Sequence, residues 1–325
     1  TWGTNSLGKL GNGSGLNWAS TPVLVDLTGV LAGKTVIAVS AAGSHSLVLC
    51  ADGTVAAWGE NDFGQLGDGG LTRSNVPVLV DRNGILSGKT VIAVAAGGSG
   101  GNYSGAAGHS LALCSDGSLV AWGANRNGQL GNGSTISSNV PVLVDRTGVL
   151  AGKKATTIRA GYYSCTALCS DGSVATWGGN WSGQLGNGTT TRSSNVPVLV
   201  DHSGVLTGKK VVGIAAGGAH GFAICADGTV AAWGGNNDGQ LGNASNDHQS
   251  LVPVLVDSTN LGTGERFAWV VVGGIHGLGL VAVPPAPMAT TLAASDITDT
   301  EATLKGSASE RGNDTRVTFE YDPTS

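Results

Sequence analysis

Apolar residues in this chain come in short runs, rich in valine, isoleucine and leucine, that are cut off by Gly, Asp-Gly or Pro before a helix could form. The first set is Val36-Ile37-Ala38-Val39, then Leu47-Val48-Leu49-Cys50, then Val55-Ala56-Ala57, then Val76-Pro77-Val78-Leu79-Val80. Runs of this length and β-branched content predict strands, four to a set. The set returns over about 91 to 144, 155 to 200 and 211 to 256, and a fifth begins at Val270-Val271-Val272 and stops at Pro284-Pro285. Asp-Gly pairs starting at Asp52, Asp116, Asp171 and Asp227 suit tight hairpin turns that need positive φ.

A second pattern rides on the first. Trp58-Gly59-Glu60-Asn61-Asp62-Phe63-Gly64-Gln65-Leu66-Gly67 has near-copies starting at Trp2, Trp122, Trp177 and Trp233, spaced 56, 64, 55 and 56 residues apart. A fixed period of four antiparallel strands with one tryptophan per unit predicts an all-β chain folded as a β-propeller, whose radial repetition leaves only short, protected sheet edges. The motif Trp-Gly-x-Asn-x-x-Gly-Gln-Leu-Gly, followed by Gly-x-x-His-Ser-Leu and Asp-Gly-x-Val-x-x-Trp-Gly, resembles the repeat of the regulator of chromosome condensation family over residues 2 to 283. That resemblance implies four-stranded blades in a ring that usually has seven, whereas five units are visible here. Two arrangements stay open: strands from both termini close the ring, or the five units are part of a seven-bladed ring whose upstream repeats precede Thr1.

Domain boundaries follow from the same pattern: a propeller over 1–283, a Pro-rich linker over 284–288 and a different alternation over 289–325. In the last segment Thr290 to Ala294, Thr298 to Leu304 and Arg316 to Tyr321 alternate as half-exposed strands do. They resemble the opening of a fibronectin type III or immunoglobulin-like β-sandwich, which needs about 100 residues when complete.

Composition narrows the function. Only 12% of the 325 residues are charged and the net charge is −5, without the clustered Lys and Arg that phosphate backbones attract, so nucleic acid is not an expected partner. No apolar run approaches the roughly 18 to 20 residues that span a bilayer, so membrane insertion is not expected. The chain opens on Thr1 and its one methionine is Met288, which suggests a processed or incomplete N-terminus. Cys50, Cys114, Cys169 and Cys225 are repeat-equivalent and read as small buried apolar residues, not a disulfide or metal set.

Trp2, Trp58, Trp122, Trp177 and Trp233 recur in every unit and are expected to fill the space between blades. His45, His109, His220 and His276 recur likewise, with Ser164 in the third unit, and are expected to hold a turn by a local hydrogen bond. Catalysis or metal binding would need such histidines to converge with carboxylates or thiolates. Asp26, Asp81, Asp145, Asp201 and Asp257 end the Val-Leu-Val strands as turn caps. Calcium-loop spacing is missing around Asn236-Asn237-Asp238, and Gly33-Lys34-Thr35 and Gly88-Lys89-Thr90 lack the upstream glycine and helix of a phosphate loop. No cofactor or metal is expected. Asn12, Asn132 and Asn187 head glycosylation sequons, which matter only if the source glycosylates.

Function is expected where the repeats disagree. The free positions of the tryptophan motif are Ser6-Leu7, Asp62-Phe63, Arg126-Asn127, Trp181-Ser182 and Asn237-Asp238, and the Gly-x-x-His loop carries Tyr162-Tyr163 in one unit and an insertion with Tyr103 in another. In a four-stranded meander the first and third connections leave the same end. Phe63, Tyr103, Arg126, Tyr162, Tyr163 and Trp181 should therefore share a face, of a composition found at binding hot spots.

The expected function is a non-enzymatic scaffold of a secreted or cell-surface microbial protein, binding a protein or glycan through that face. The alternative is a protomer of an extracellular fibre. Within the resembled family one branch exchanges guanine nucleotides on a small GTPase and another inhibits β-lactamases, and neither context is singled out here. An enzyme site would need acid and base groups on the innermost strands, where Thr157-Ile158-Arg159 is the sole polar break.

Overall fold

A computed structural model describes residues 1–99, 108–283, 288–295 and 303–309. Four four-stranded antiparallel sheets form successive blades, each in simple meander order. Blade one is β3 (Val36–Ala41), β4 (His45–Cys50), β5 (Val55–Gly59) and β6 (Ser74–Leu79). Blade two is β7 (Val91–Gly97), β8 (His109–Cys114), β9 (Leu119–Gly123) and β10 (Ser138–Leu143). Blade three is β11 (Ala155–Ala160), β12 (Ser164–Cys169), β13 (Val174–Gly179) and β14 (Ser193–Leu199). Blade four is β15 (Val211–Ala216), β16 (His220–Cys225), β17 (Val230–Gly235) and β18 (Gln249–Leu255). Before them lie β1 (Gly3–Thr4), a 3-10 turn (Ser6–Gly8) and β2 (Trp18–Ala19); after them lie β19 (Arg266–Val272) and β20 (Gly277–Ala282). A further hairpin pairs β21 (Met288–Ser295) with β22 (Thr303–Ser309).

Local chemistry explains the meander. Gly53, Gly117, Gly172 and Gly228 take φ of +78°, +81°, +85° and +85° at the Asp-Gly turns between second and third strands, a region open to glycine at little cost. The fourth strand of each blade carries a proline, such as Pro77 in β6, and pairs on one side only. A residue without an N–H is tolerated on such an edge. First strands of neighbouring blades contact one another, β3 with β7, β7 with β11, β11 with β15 and β15 with β19, so they are innermost. Lys34, Lys89, Lys153 and Lys209 each reach back to the Asp of their own blade's turn, Asp52, Asp116, Asp171 and Asp227.

The core lies between blades. Leu47, Leu49, Val55 and Ala57 of blade one pack with Leu66 against Ala112, Cys114, Val120 and Trp122 of blade two. All five cysteines are free and buried. Trp122, Trp177 and Trp233 have no solvent exposure and Trp58 has 3%. Each indole N–H donates to a carbonyl in the preceding unit: Trp58 to Lys9 at 2.8 Å, Trp122 to Gln65 at 3.0 Å, Trp177 to Gln129 at 2.8 Å and Trp233 to Gln184 at 3.0 Å.

Three expectations are corrected. Trp2 does not fill an interblade space: it is 69% exposed, because β1 pairs with β2 alone and no second strand lies beside it among the described residues. Strands of the two ends do not close a ring, since β1–β2 and β19–β20 are separate sheets. The loop Lys9–Gly11 holds Trp58 and thereby fixes the N-terminal unit against blade one, at the far end of the array from β20. Finally, the fifth unit starts at Arg266 and not at Val270, in a charged and aromatic stretch unlike the Val-Ile pattern of the other first strands. Residues 284–287, the insertion with Tyr103 and the strand expected over Arg316 to Tyr321 lie outside the described residues.

Candidate functional site

Both loop sets leave the same end of each blade. A backbone bond ties the first connection to the third in all four: Glu60 N–H to Ser44 O at 3.0 Å, Ala124 to Gly108 at 2.9 Å, Gly179 to Tyr163 at 2.9 Å and Gly235 to Ala219 at 2.8 Å. The first connections form an inner ring. Gly43 N–H donates to Gly98 O, Gly98 to Gly161, Tyr162 to Gly218 and Gly218 to Gly274, at 3.0 to 3.3 Å, so consecutive blades are laced by main chain. Such close approach excludes side chains, as a Cβ on Gly218 would lie 2.5 Å from Gly274 O. These turns line a cavity of about 330 Å³ at the inner ends of the blades.

The third connections form the outer ring, and their repeated polar residues are internal staples. Asn61, fully buried, donates through Nδ2 to Asp68 Oδ1, Gly70 O and Thr72 O and accepts Leu66 N–H at 2.9 Å. Gln65 accepts Phe63 N–H at 2.9 Å. Asn125 and Gln129, Asn180 and Gln184, and Asn236 and Gln240 repeat this. In blades one to three the repeated Asn and Gln of this loop are buried, while its unrepeated letters face outward: Asp62, Phe63, Arg126 and Trp181 are exposed, as are Asn237 and Asp238 in blade four.

In blade three these letters meet. The rings of Tyr163 and Trp181 pack edge-on, centroids 4.9 Å apart at 85°, and Tyr162 packs edge-on against Tyr163 at 6.4 Å and 83°. Trp181 lies down over Gly179, where a Cβ would come within 2.6 Å of its ring, and keeps 43% of its surface exposed. Tyr162 is half-buried and laid inward along the rim. A Cβ on Gly218 would meet its ring at 2.8 Å, and one on Gly274 its hydroxyl at 2.2 Å. An aromatic step thus runs from the channel mouth to the outer loop. Phe63, 42% exposed, and Arg126 stand on the corresponding loops of blades one and two, at the second and the first free position respectively, and Phe63 stacks on no other ring among the described residues.

The repeated histidines serve the blades instead of the face. His45, His109 and His220 are buried while His276 is exposed. The expected local hydrogen bond is not made. His45 Nε2 reaches Ser110 Oγ of the next blade at 2.9 Å, and neither ring nitrogen of His109 or His220 has a partner among the described residues. Burial pushes His45 down to about 3, with the nearby His109 adding to the shift, and pushes His109 to about 4. His220 falls to about 4 from burial first and His276 second. The rings pack as neutral spacers: a Cβ on Gly97 would lie 2.5 Å from His109 Cε1.

Burial pushes the Cys114 thiol up to about 11, with Asp116 adding to it, which disfavours the thiolate. On β3, β7, β11 and β15 the one ionisable side chain is Arg159, whose guanidinium donates to Ile158 O at 2.8 Å. The five aspartates do cap turns, accepting the N–H two residues on at 2.7 to 2.8 Å. No group of three or more metal-ligating side chains occurs among the described residues, and no helix there is long and apolar enough to cross a membrane.

Comparison with known proteins agrees with this geometry. Human E3 ubiquitin-protein ligase HERC2 is 32% identical over 240 residues, 74% of this chain and 5% of its own length. The ultraviolet-B receptor UVR8 of Arabidopsis thaliana is 31% identical over 247 residues, 76% of this chain and 51% of its own. The chain thus spans from a twentieth to about half of these relatives. Among solved structures, human WBSCR16 superposes with a TM-score of 0.69 at 26% identity, covering 86% of this chain and 66% of its own. Yeast RCC1 (Prp20), in its complex with Kap60, superposes with a TM-score of 0.50 at 19% identity, covering 86% and 75%. Residues 1–282 match the RCC1-like domain, and the chain belongs to that family.

Proposed function

We propose that this chain is a non-enzymatic scaffold that binds a partner protein through the face carrying the first and third connections, with blade three as its centre. One observation carries the reading: Tyr162, Tyr163 and Trp181 form a contiguous aromatic step at positions where the repeats differ, while the repeated Asn180 and Gln184 of the same blade are buried. Tyr and Trp contribute large, rigid contact area at low entropic cost, which is why they dominate interface hot spots. Yeast RCC1 is seen bound to Kap60, and the same kind of use suits this chain. Blade number beyond four complete sheets, an immunoglobulin-like identity for the β21–β22 segment and a secreted or cell-surface setting belong to the same proposal, the last on composition alone.

Immobilised protein, exposed to extracts and culture medium of the source, tests it. The double variant Tyr163→Ala with Trp181→Ala should lose its captured protein partner by roughly 30-fold or more in affinity, the scale of a 2 kcal/mol hot spot, with an unchanged circular dichroism spectrum. Equal capture by the variant refutes the site, and capture that a soluble glycan abolishes refutes a protein partner.

A further inference from the structure

Five asparagines stand directly before glycine: Asn12, Asn83, Asn127, Asn132 and Asn187. In such a pair the glycine nitrogen can attack the side-chain amide before it, because no Cβ blocks the approach and the glycine backbone turns freely. The attack makes two demands on the fold. The glycine nitrogen must be able to shed its proton, and the asparagine side chain must be free to swing back over the main chain.

Four of the five pairs fail the first demand. Gly13 N–H donates to Asn75 O, Gly133 to Asn195 O and Gly188 to Leu251 O, each at 2.9 Å and each across to the next unit, and Gly128 N–H donates to Asn125 O at 2.8 Å. Three of these four fail the second demand as well. The Oδ1 atoms of Asn12, Asn132 and Asn187 accept the N–H of Ser14, Ser134 and Thr189 at 3.1 to 3.2 Å.

Asn83 is held in neither way. It lies exposed in the connection from β6 to β7. Gly84 N–H donates to no acceptor among the described residues, and a Cβ on Gly84 would meet nothing within 4 Å. Asn83 gives Asp81 Oδ1 its main-chain N–H at 2.8 Å, and its side chain makes no hydrogen bond among the described residues. The equivalent position in the other units is Thr28, Thr147, Ser203 and Thr259. There Thr28 and Thr147 also turn their hydroxyls to the capping aspartate, at 2.6 and 2.7 Å, so blade one carries an untethered amide where those units carry a tethered hydroxyl.

We propose that Asn83 is a site of spontaneous deamidation, the one of these five pairs that the native fold leaves reactive. Gly84 N bonds to Asn83 Cγ, the Cγ–Nδ2 bond breaks, and the amide nitrogen leaves as ammonia with the proton that Gly84 gives up. Water then opens the cyclic imide at one carbonyl or the other, to aspartate or to isoaspartate. Either product places a new carboxylate two residues from Asp81, and isoaspartate also lengthens the link between blades one and two by a methylene. The same connection carries Lys89, which pairs with Asp116 of an Asp-Gly turn. The site is therefore at the end of the blades opposite the aromatic step, and it stands independently of the binding reading.

Peptide mapping by mass spectrometry tests this on native protein aged at mildly alkaline pH, beside protein kept unfolded in guanidinium. In native protein the segment with Asn83 should gain the mass difference between water and ammonia at least ~10-fold faster than Asn12, Asn127, Asn132 and Asn187, the scale of one hydrogen bond that must first break. In unfolded protein all five should convert at similar rates. Asn83→Thr, which supplies the residue of three other units, should keep the unfolding midpoint and lack the acidic species that ion exchange separates from aged wild type. Native Asn83 that converts no faster than the other four overturns the proposal, and so does an acidic species that Asn83→Thr forms as fast as wild type.

Discussion

Replacing Trp122 by Ala removes a side chain with no solvent exposure from the seam between blades one and two, where it packs with Leu66, Val80 and Leu86. Truncating a buried aromatic costs about 3 to 5 kcal/mol. The indole bond to Gln65 O adds about 1 kcal/mol, and no more, because that carbonyl keeps the Ser110 hydroxyl at 2.9 Å and is not orphaned. Trp2 begins the same motif but is mostly solvated, so Trp2→Ala should cost less than about 0.5 kcal/mol. Trp122→Phe, which keeps most of the apolar body, should fall between at about 1 to 2 kcal/mol. Guanidinium unfolding followed by far-ultraviolet circular dichroism reads these values. Hydrogen exchange of β8 and β9 shows whether the seam opens alone, as repeat arrays can. Equal costs for Trp122→Ala and Trp2→Ala, or under 1 kcal/mol for Trp122→Ala, would refute the assignment of the seam.

Other outcomes follow from the same geometry. Gly67→Ala combines a positive φ with a Cβ 2.6 Å from the Trp122 ring, whereas Gly33→Ala has nearly the same φ and open space; the second should cost about 1 to 2 kcal/mol from backbone strain alone, the first distinctly more, both read as shifts in unfolding midpoint. The buried histidines make stability pH-dependent with a defined sign. Their folded values lie below the ordinary 6.5, at about 4 for His109, so the unfolded chain takes up protons that the fold excludes. Stability is full above pH 6.5, falls with decreasing pH and levels off below the folded value, a loss of about 3 kcal/mol for His109. Unfolding midpoints of wild type and His109→Leu across that window should show a shallower slope in the variant; identical slopes would mean that His109 is not held neutral.

Strands and their order were legible because each run is short, β-branched and ended by Asp-Gly or Pro, and because five copies average out local ambiguity. The turn-capping aspartates and the outward tips of the tryptophan motif were legible for the same reason. What the sequence hid depends on neighbours in space. Trp2 is indistinguishable in its motif from Trp58, yet its environment turns on a second strand that the motif does not encode. His45 was read as a turn holder, but its partner, Ser110, lies 65 residues away in the next blade. Lys34 and Asp52 looked like parts of two separate turns until the fold brought them together. Gly179 makes the room in which Trp181 lies beside Tyr163, where blades one and two hold Glu60 and Ala124, but blade four has Gly235 at the same place and no ring over it, so the glycine alone did not announce the contact.

The central claim, that repeated residues join the blades while unrepeated residues on one face meet the partner, is tested most directly by site-specific photo-crosslinking. With benzoylphenylalanine at position 181, on the aromatic step, the captured partner should be joined covalently. At position 171, on the Asp-Gly turn at the opposite end of the same blade, it should not. Crosslinks from 171 and none from 181 would contradict the account.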